Sequence, residues 1–320
     1  MLKEKWKEYR KEKMLQQLDS APCEFNKIKK STNVVFNIIM TVLALLSVIP
    51  FIFVVIISLT DEHALTMNGY RFIPEKWSLY AYEYIVQAGE SIIKSYGVTI
   101  TVTVLGTLIG LFLISTYAYA LSRKTYAYRS FFTKVITIPM LFSGGMIANY
   151  LIVTKVLMLK DSIFALILPL CMNSFNVIVL RTFFKTSIPD SVIESAKIDG
   201  ASEWRLFFKI VIPMALPGLA TIGLFLTLTY WNDWFNAMMY IDNQDLIPLQ
   251  YLLIKIESSI DFLANNKSML GVDGITAAAN LPKETIKMAI VVISTLPIIF
   301  AYPFFQRYFV NGLTIGAVKE

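Results

Sequence analysis

Six long apolar stretches, at residues 34–59, 98–121, 131–158, 162–184, 207–237 and 286–309, set the limits on what this chain can fold into. Each reaches the ~20 residues that a helix needs to cross the hydrocarbon core of a bilayer. No water satisfies backbone N–H and C=O groups there, so each segment must bond its own, and the helix does so. The sequence therefore predicts an all-α polytopic membrane protein with six transmembrane helices over residues 34–309. Composition agrees: 56% of the 320 residues are hydrophobic, 16% are charged and the mean hydropathy is +0.58, which excludes a soluble globule. Pro50, Pro139, Pro169, Pro217, Pro297 and Pro303 interrupt the stretches, and each is expected to kink its helix.

Lys and Arg set the expected orientation. The first 30 residues carry nine of them, and Arg123, Lys124, Arg129 and Lys134 crowd the next loop without an acid. Residues 61–90 instead hold five acids against Arg71 and Lys76. The positive-inside bias places the N-terminus, the 122–134 loop, the polar loop at 187–207 and the C-terminus in the cytoplasm. Residues 1–33 then form a basic cytoplasmic tail and 310–320 a second one. No apolar region precedes residue 34, so the tail is not a signal peptide, and Ser20-Ala21-Pro22-Cys23 lacks the apolar stretch of a lipidation site. Two forms of the tail stay open: a basic amphipathic helix with Leu2, Trp6 and Tyr9 toward lipid, or a solvated segment. The net charge of +6 is split across loops and gives no face for nucleic acid.

The loop at 187–207 reads as a short helix, a glycine break and a second helix. Ser187 and Asp190 have the S-x-x-D spacing of a helix start, and Pro189 suits a first turn. Val192, Ile193 and Ala196 share one face, with Glu194 and Lys197 turned away. Gly200 follows Asp199 where a left-handed residue ends a helix, and Ser202 with Glu203 starts the next. Such a protrusion from a membrane protein offers a grip to a soluble partner.

These residues resemble a family. Glu194-Ser195-Ala196, three residues, Gly200, nine residues and Ile210-Val211-Ile212-Pro213 resemble the EAA loop of ABC importer permeases. Ser195 stands where that pattern usually has Ala, and Ile212 where it has Leu. Residues 175–184, Trp231-Asn232-Asp233-Trp234-Phe235 and residues 306–319 resemble the carbohydrate-uptake branch, specifically its maltose-type "G" permeases. Ser143-Gly144-Gly145 and Ala278-Ala279-Asn280-Leu281-Pro282 are similar to Gram-positive permeases for complex or polysaccharide-derived oligosaccharides.

The resemblance covers nearly the whole chain and implies a type I ABC importer permease fold with a cytoplasmic coupling helix. Glu194, Ser195, Ala196, Asp199, Gly200 and Ala201 would then carry the contact with an ATPase. The implied partners are a second homologous permease subunit, two ATPase subunits, an extracytoplasmic solute-binding (lipo)protein and membrane lipid, in a bacterial cytoplasmic membrane. No cofactor is implied for this chain; ATP and magnesium would sit on the partner ATPase.

Catalytic chemistry finds little to work with. There is no G-x-x-x-x-G-K-[ST] phosphate loop, so the chain is expected to be non-enzymatic. Gly106-x-x-x-Gly110 reads as close helix packing. Cys23 and Cys171 are the only cysteines, one in the basic tail and one in an apolar stretch, which suits neither a disulfide nor a metal cluster. His63 is the only histidine.

Polar residues inside the stretches are the candidates for a substrate path. Asp233 leads, because an ionisable group at membrane depth needs water or a partner. Tyr230, Trp231, Asn232 and Trp234 surround it, and aromatic faces beside amides suit the apolar face and hydroxyl rim of a pyranose. On a continuous helix Tyr230, Asp233 and Ala237 share a face and Trp231 and Trp234 a neighbouring one. Two roles stay open: path lining, or an outer aromatic belt with Asp233 as a cap or ion pair. Asn149, Asn173 and Asn176 divide between the path and interhelical hydrogen bonds. Residues 238–285 read as a long polar outer loop poor in periodicity, either a connector or, by the resemblance, a dock for the binding protein. Residues 61–94, with Pro74, Trp77, Tyr80, Tyr82 and Tyr84, read as a short helix along the outer surface.

The expected function is a permease subunit of an ATP-driven oligosaccharide importer, forming half of an alternating-access path. The alternatives are a permease for a non-sugar solute, a secondary transporter and a membrane scaffold or sensor. A secondary transporter predicts repeated halves and chains of intramembrane carboxylates, whereas Asp233 stands nearly alone. A sensor predicts a signalling domain.

Overall fold

A computed structural model describes residues 29–87, 89–265 and 282–317, without the side chains of Ala264, Phe304 and residues 307–317. The tail to residue 28, residues 266–281 of the outer segment with the motif residues 278–281 among them, and the chain end at 318–320 lie outside the described residues.

The elements in order are α1 (Lys30–Ser58), α2 (Glu62–Asn68), α3 (Tyr80–Gln87), α4 (Gly89–Ser122), α5 (Arg129–Leu141) and α6 (Gly145–Leu151). A π-helical turn (Ile152–Val156), α7 (Ile163–Ile167), α8 (Ser174–Ser187), α9 (Asp190–Ile198) and α10 (Glu203–Leu206) follow. A second π turn (Phe207–Val211) leads to α11 (Ile212–Met214), α12 (Leu216–Trp231), α13 (Phe235–Tyr240), a 3₁₀ turn (Gln244–Leu246), α14 (Leu249–Asn265) and α15 (Lys283–Ala317). Among the described residues the one β contact is a bridge between Thr60 and Trp77.

The chain divides into two compact units, Met1–Phe53 and Val54–Glu320, with the boundary inside α1. In the first unit the described residues form a helix of exposed apolar side chains such as Phe36, Ile39, Leu43 and Leu46. The second unit is built on α4, α8 and α12. Val102, Ile114 and Ala118 of α4 bury against Val177, Leu180 and Phe184 of α8 and Ile222, Leu226 and Tyr230 of α12. Lipid is as apolar as leucine, so close packing and hydrogen bonds hold such helices together. Both are present. A Cβ at Gly106 would lie 2.5 Å from the Tyr230 ring, and one at Gly110 2.8 Å from the Cys171 carbonyl oxygen. Thr107 and Thr227 hydroxyls meet at 3.3 Å, and Tyr96 Oη donates to the Ile293 carbonyl at 3.0 Å.

Of the six expected spans, three to five are found as candidates among the described residues. Three helices there are long and apolar enough to cross a membrane by themselves: α1, α4 and the Lys283–Pro303 part of α15. Two bent pairs raise the number to five if each is one span. Arg129–Leu141 with Gly145–Val156 bends by 120°, and Glu203–Met214 with Leu216–Trp231 by 83°. The first bend falls at Ser143-Gly144-Gly145, where Gly145 takes φ +80°. The stretch at 162–184 divides into α7 and α8, because Pro169 lacks an N–H and Asn173 caps a new helix start.

The outer segment is also corrected. Instead of a loop poor in periodicity, residues 249–265 form α14, with Leu249, Leu253 and Ile260 buried against Ile286, Ala289 and Ile290 of α15. Lys287 faces Asp261 at 3.5 Å and Glu257 at 3.8 Å across the same seam. The expected helix in 61–94 is present as α2 and α3, joined to the ends of α1 and α15. Ser58 Oγ meets Tyr82 Oη at 2.7 Å, and the Glu62 carboxylate accepts from the N–H groups of Glu284 and Thr285 at 3.0 and 2.9 Å.

Candidate functional site

The segment predicted to meet an ATPase begins where α8 stops. Ile188 N–H donates to the Phe184 carbonyl at 3.2 Å, and Pro189 then occupies the cap position of α9 at φ −61°, ψ 138°. Ser187 is the last residue of α8 and caps nothing, which corrects the S-x-x-D expectation. The boundary follows Pro189, which disfavours helical backbone at the residue before it.

Ile193 and Ala196 are 5% and 9% exposed and root α9 in the core. Glu194, Ser195, Lys197, Asp199 and Gly200 are exposed, and Ala201 is half-buried. Gly200 has φ +77°. Its N–H donates to the Lys197 carbonyl and that of Ala201 to the Ala196 carbonyl, both at 3.0 Å. This pair of bonds is the Schellman motif, which favours glycine at the left-handed position. Ser202 starts α10 as predicted, its Oγ accepting from Arg205 N–H at 3.4 Å.

Sequence reasoning passed over Ile198, which is 85% exposed one turn after Glu194, and Trp204, which stacks on Phe208 at 5.9 Å. The signal was present: Ile198 is a large apolar residue one turn from polar Glu194 and Ser195, and Trp204 is an aromatic set between Glu203 and Arg205.

α9 is linked to the end of α4 twice, at Asp190 through the residues that follow α4 and at Lys197 through Glu203 of α10. Asp190 Oδ2 accepts from Lys124 Nζ at 3.0 Å, and its Oδ1 lies 3.6 Å from Arg123 Nη1. The Lys124 hydrogen bond and charge hold the Asp190 carboxyl below its ordinary range. Lys197 Nζ lies 2.6 Å from Glu203 Oε1, and Tyr119 Oη donates to Glu203 Oε2 at 3.1 Å.

The path candidates gather around a break in the helix rather than along one face. α12 ends at Trp231, and Asn232 takes φ −93°, ψ 3°. The shared face expected for Tyr230, Asp233 and Ala237 is therefore not formed. Half-buried Asp233 accepts from Asn236 N–H at 3.2 Å and from Asn236 Nδ2 at 3.0 Å, securing the start of α13. Tyr230 is 2% exposed and donates its Oη to the Ile167 carbonyl at 2.8 Å. Trp231 is buried, its Nε1 donating to the Ser294 carbonyl at 2.9 Å. Asn232 is exposed, with Nδ2 donating to the Leu228 carbonyl at 2.9 Å, and exposed Trp234 sits edge-on to Phe235.

The second-tier amides lie apart. Asn173 caps α8, its Oδ1 accepting from the N–H groups of Phe175 and Asn176 at 2.9 and 3.3 Å. Asn176 is buried and Asn149 is exposed on α6. Among the described residues no side-chain hydrogen bond joins these amides to residues 230–234.

A feature beside the break was not foreseen. Met158 and Asp161 take φ +53° and +58°, unusual for residues with a Cβ. Asp161 N–H donates to the Tyr240 carbonyl at 3.0 Å, and its Oδ1 accepts from the N–H groups of Asp242 and Asn243 at 2.6 and 2.8 Å. Those backbone donors, Asn243 foremost, hold the Asp161 carboxyl below its ordinary range.

Comparison with known proteins gives this geometry a context. Residues 103–315 match the family described as binding-protein-dependent transport system inner membrane component. The polygalacturonan/rhamnogalacturonan transport system permease protein YtcP of Bacillus subtilis is 42% identical over 276 residues, covering 86% of this chain and 94% of that one. Protein LplC of the same organism is 38% identical over 274 residues, covering 86% and 90%. A solved structure, of a bacterial ABC transporter involved in the import of the acidic polysaccharide alginate, superposes with a TM-score of 0.71 at 31% identity, over 88% of this chain and 99% of that one.

Proposed function

The chain belongs to the family of binding-protein-dependent transport system inner membrane components, and from that membership we propose that it is a permease subunit of an ATP-driven oligosaccharide importer. The observation that carries this is the 42% identity to a polygalacturonan/rhamnogalacturonan permease across 94% of its length. The alginate transporter, whose cargo is likewise acidic, points to oligosaccharides rich in uronate as the first substrates to test.

In this reading α9 is the coupling helix. Its rooted side, Ile193 and Ala196, transmits force to the core, while Glu194, Ser195, Asp199 and Gly200, with Ala201 behind them, meet an ATPase that carries ATP and magnesium. A homologous permease pairs with this chain to complete the path, and an extracytoplasmic binding protein delivers the sugar. Both termini and α9 then face the cytoplasm of a bacterial cell. The break at Asn232, Asp233 and Trp234 is the proposed lining, since irregular backbone at membrane depth survives where it borders a wet cavity. Tyr230 and Trp231 hold that break in position, and Asn149, Asn173 and Asn176 line neighbouring wall.

The test is co-purification of the chain with the ATPase and uptake across an oligosaccharide panel. ATPase association lost in Glu194→Lys and Gly200→Pro, together with uptake of uronate oligosaccharides by the unaltered complex, is expected. An unaltered chain that retains no ATPase would refute the assignment.

A further inference from the structure

The end of α4 holds α9 at both ends, and nothing in the family assignment requires this. Asp190 opens α9, and Lys197 lies in its last turn, about 10 Å further along at the helical rise. Arg123 and Lys124 approach Asp190, at 3.6 and 3.0 Å. Tyr119 reaches the other end through Glu203, which Lys197 contacts at 2.6 Å. Arg123 directly follows the last residue of α4, four residues after Tyr119, and its guanidinium lies 5.5 Å from the centre of the Tyr119 ring.

Arg123 is the uneven member of this cluster. Its side chain is 10% exposed, its Nε donates to Ser122 Oγ at 3.0 Å, and its buried Nη1 has no hydrogen-bond partner. A buried N–H left without an acceptor is costly. The Asp190 oxygen waits at 3.6 Å, just beyond hydrogen-bond reach, while the other oxygen is held by Lys124. A shift of α9 toward α4 by less than about 1 Å closes that gap. The carboxylate then bridges both cations.

Further along, α4 has no slack. Gly106 lies under the Tyr230 ring and Gly110 against the Cys171 carbonyl and Leu226. Tyr230 is in turn tied to Ile167 and stands at the end of α12, just before Asn232 and Asp233. A displacement of the 119–124 end thus meets a tight seam beside the helix break.

We propose that Tyr119, Arg123 and Lys124 form a two-point grip through which α4 converts movement of α9 into movement at the 230–233 break. They are positioning residues: none need touch sugar or nucleotide. The inference rests on the coupling role of α9 proposed above.

The test uses the complete transporter in proteoliposomes, with ATP hydrolysis and sugar uptake measured in the same preparation. Arg123→Gln and Tyr119→Phe are expected to assemble and to hydrolyse ATP at a basal rate near that of the unaltered complex. Sugar imported per ATP consumed should fall several-fold in each, and Arg123→Lys should recover part of the loss. A purely structural role would lower assembly and leave that ratio unchanged, which would overturn the proposal. Tyr119→Phe removes a single oxygen and carries the test alone if Arg123→Gln does not accumulate. If the unaltered complex imports no sugar, the functional assignment fails; if it imports and both variants keep the normal ratio, only the grip fails.

Discussion

Gly200 is needed for its backbone angle rather than for space. At φ +77° a side chain is disfavoured, yet an added Cβ would meet nothing within 4 Å. The cost of Gly200→Val is thus the left-handed penalty, about 1–2 kcal/mol, which shifts the turn equilibrium about 5–30-fold. Uptake by the reconstituted complex is expected to fall in Gly200→Val and to fall less in Gly200→Asn, since asparagine tolerates this region. Asp233 can be separated into its charge and its cap. Asp233→Asn keeps an oxygen for the Asn236 N–H and removes the charge and the acceptor for Asn236 Nδ2; Asp233→Ala removes all three. Uptake is expected to fall in both variants, while the stability of the complex drops further in Asp233→Ala, by about 1 kcal/mol of lost cap. If Asp233→Asn transports normally, Asp233 serves only as a cap. Local spacing made Gly200, Ser202 and the cap role of Asp233 legible. Ser187 misled because Pro189, two residues on, governs the boundary. The tie of Tyr230 to Ile167 and Gly106 joins parts of the chain that no local pattern links.

Among the elements, α14 was legible and missed. Leu249, Leu253, Ile256 and Ile260 recur at helical spacing, but the polar residues on either side of the run drew attention to a loop. The clamp between Asp161 and the 242–243 backbone was not legible, because it depends on a left-handed aspartate meeting a distant turn. Its pH response has a definite sign. The folded Asp161 carboxyl titrates below its unfolded value, so its contribution is fully present above about pH 4 and fades as pH falls through the folded value. The protection of the Asp242 and Asn243 amides against exchange, measured relative to the intrinsic rate at each pH, should thus be high at neutral pH and fall only in acid, while Asp161→Ala should lower it at neutral pH. The α4 seam makes a separate demand. A Cβ at Gly110 would lie 2.8 Å from a backbone oxygen that cannot rotate away. Gly110→Ala should destabilise the chain by about 1–3 kcal/mol through overpacking. Gly97→Ala, where nothing lies within 4 Å, should not. Thermal melting of the purified complex compares the two.

For the whole molecule, apolar length announced the membrane but not how the chain bends within it. Three stretches survive as continuous helices, while those at 131–158 and 207–237 bend and the one at 162–184 splits. Hydropathy averages over the short interruptions at Ser143-Gly144-Gly145 and Ala215, where the two bends fall, and over the break at Asn232-Asp233-Trp234 that ends α12. The most direct measurement is uptake of labelled uronate oligosaccharide into proteoliposomes holding the assembled complex, with ATP inside the ATPase compartment or an ion gradient in its place. Accumulation that requires ATP and the binding protein, and that falls in Gly200→Val while the subunits remain assembled, is the predicted result. Accumulation driven by an ion gradient with no ATPase present would contradict it.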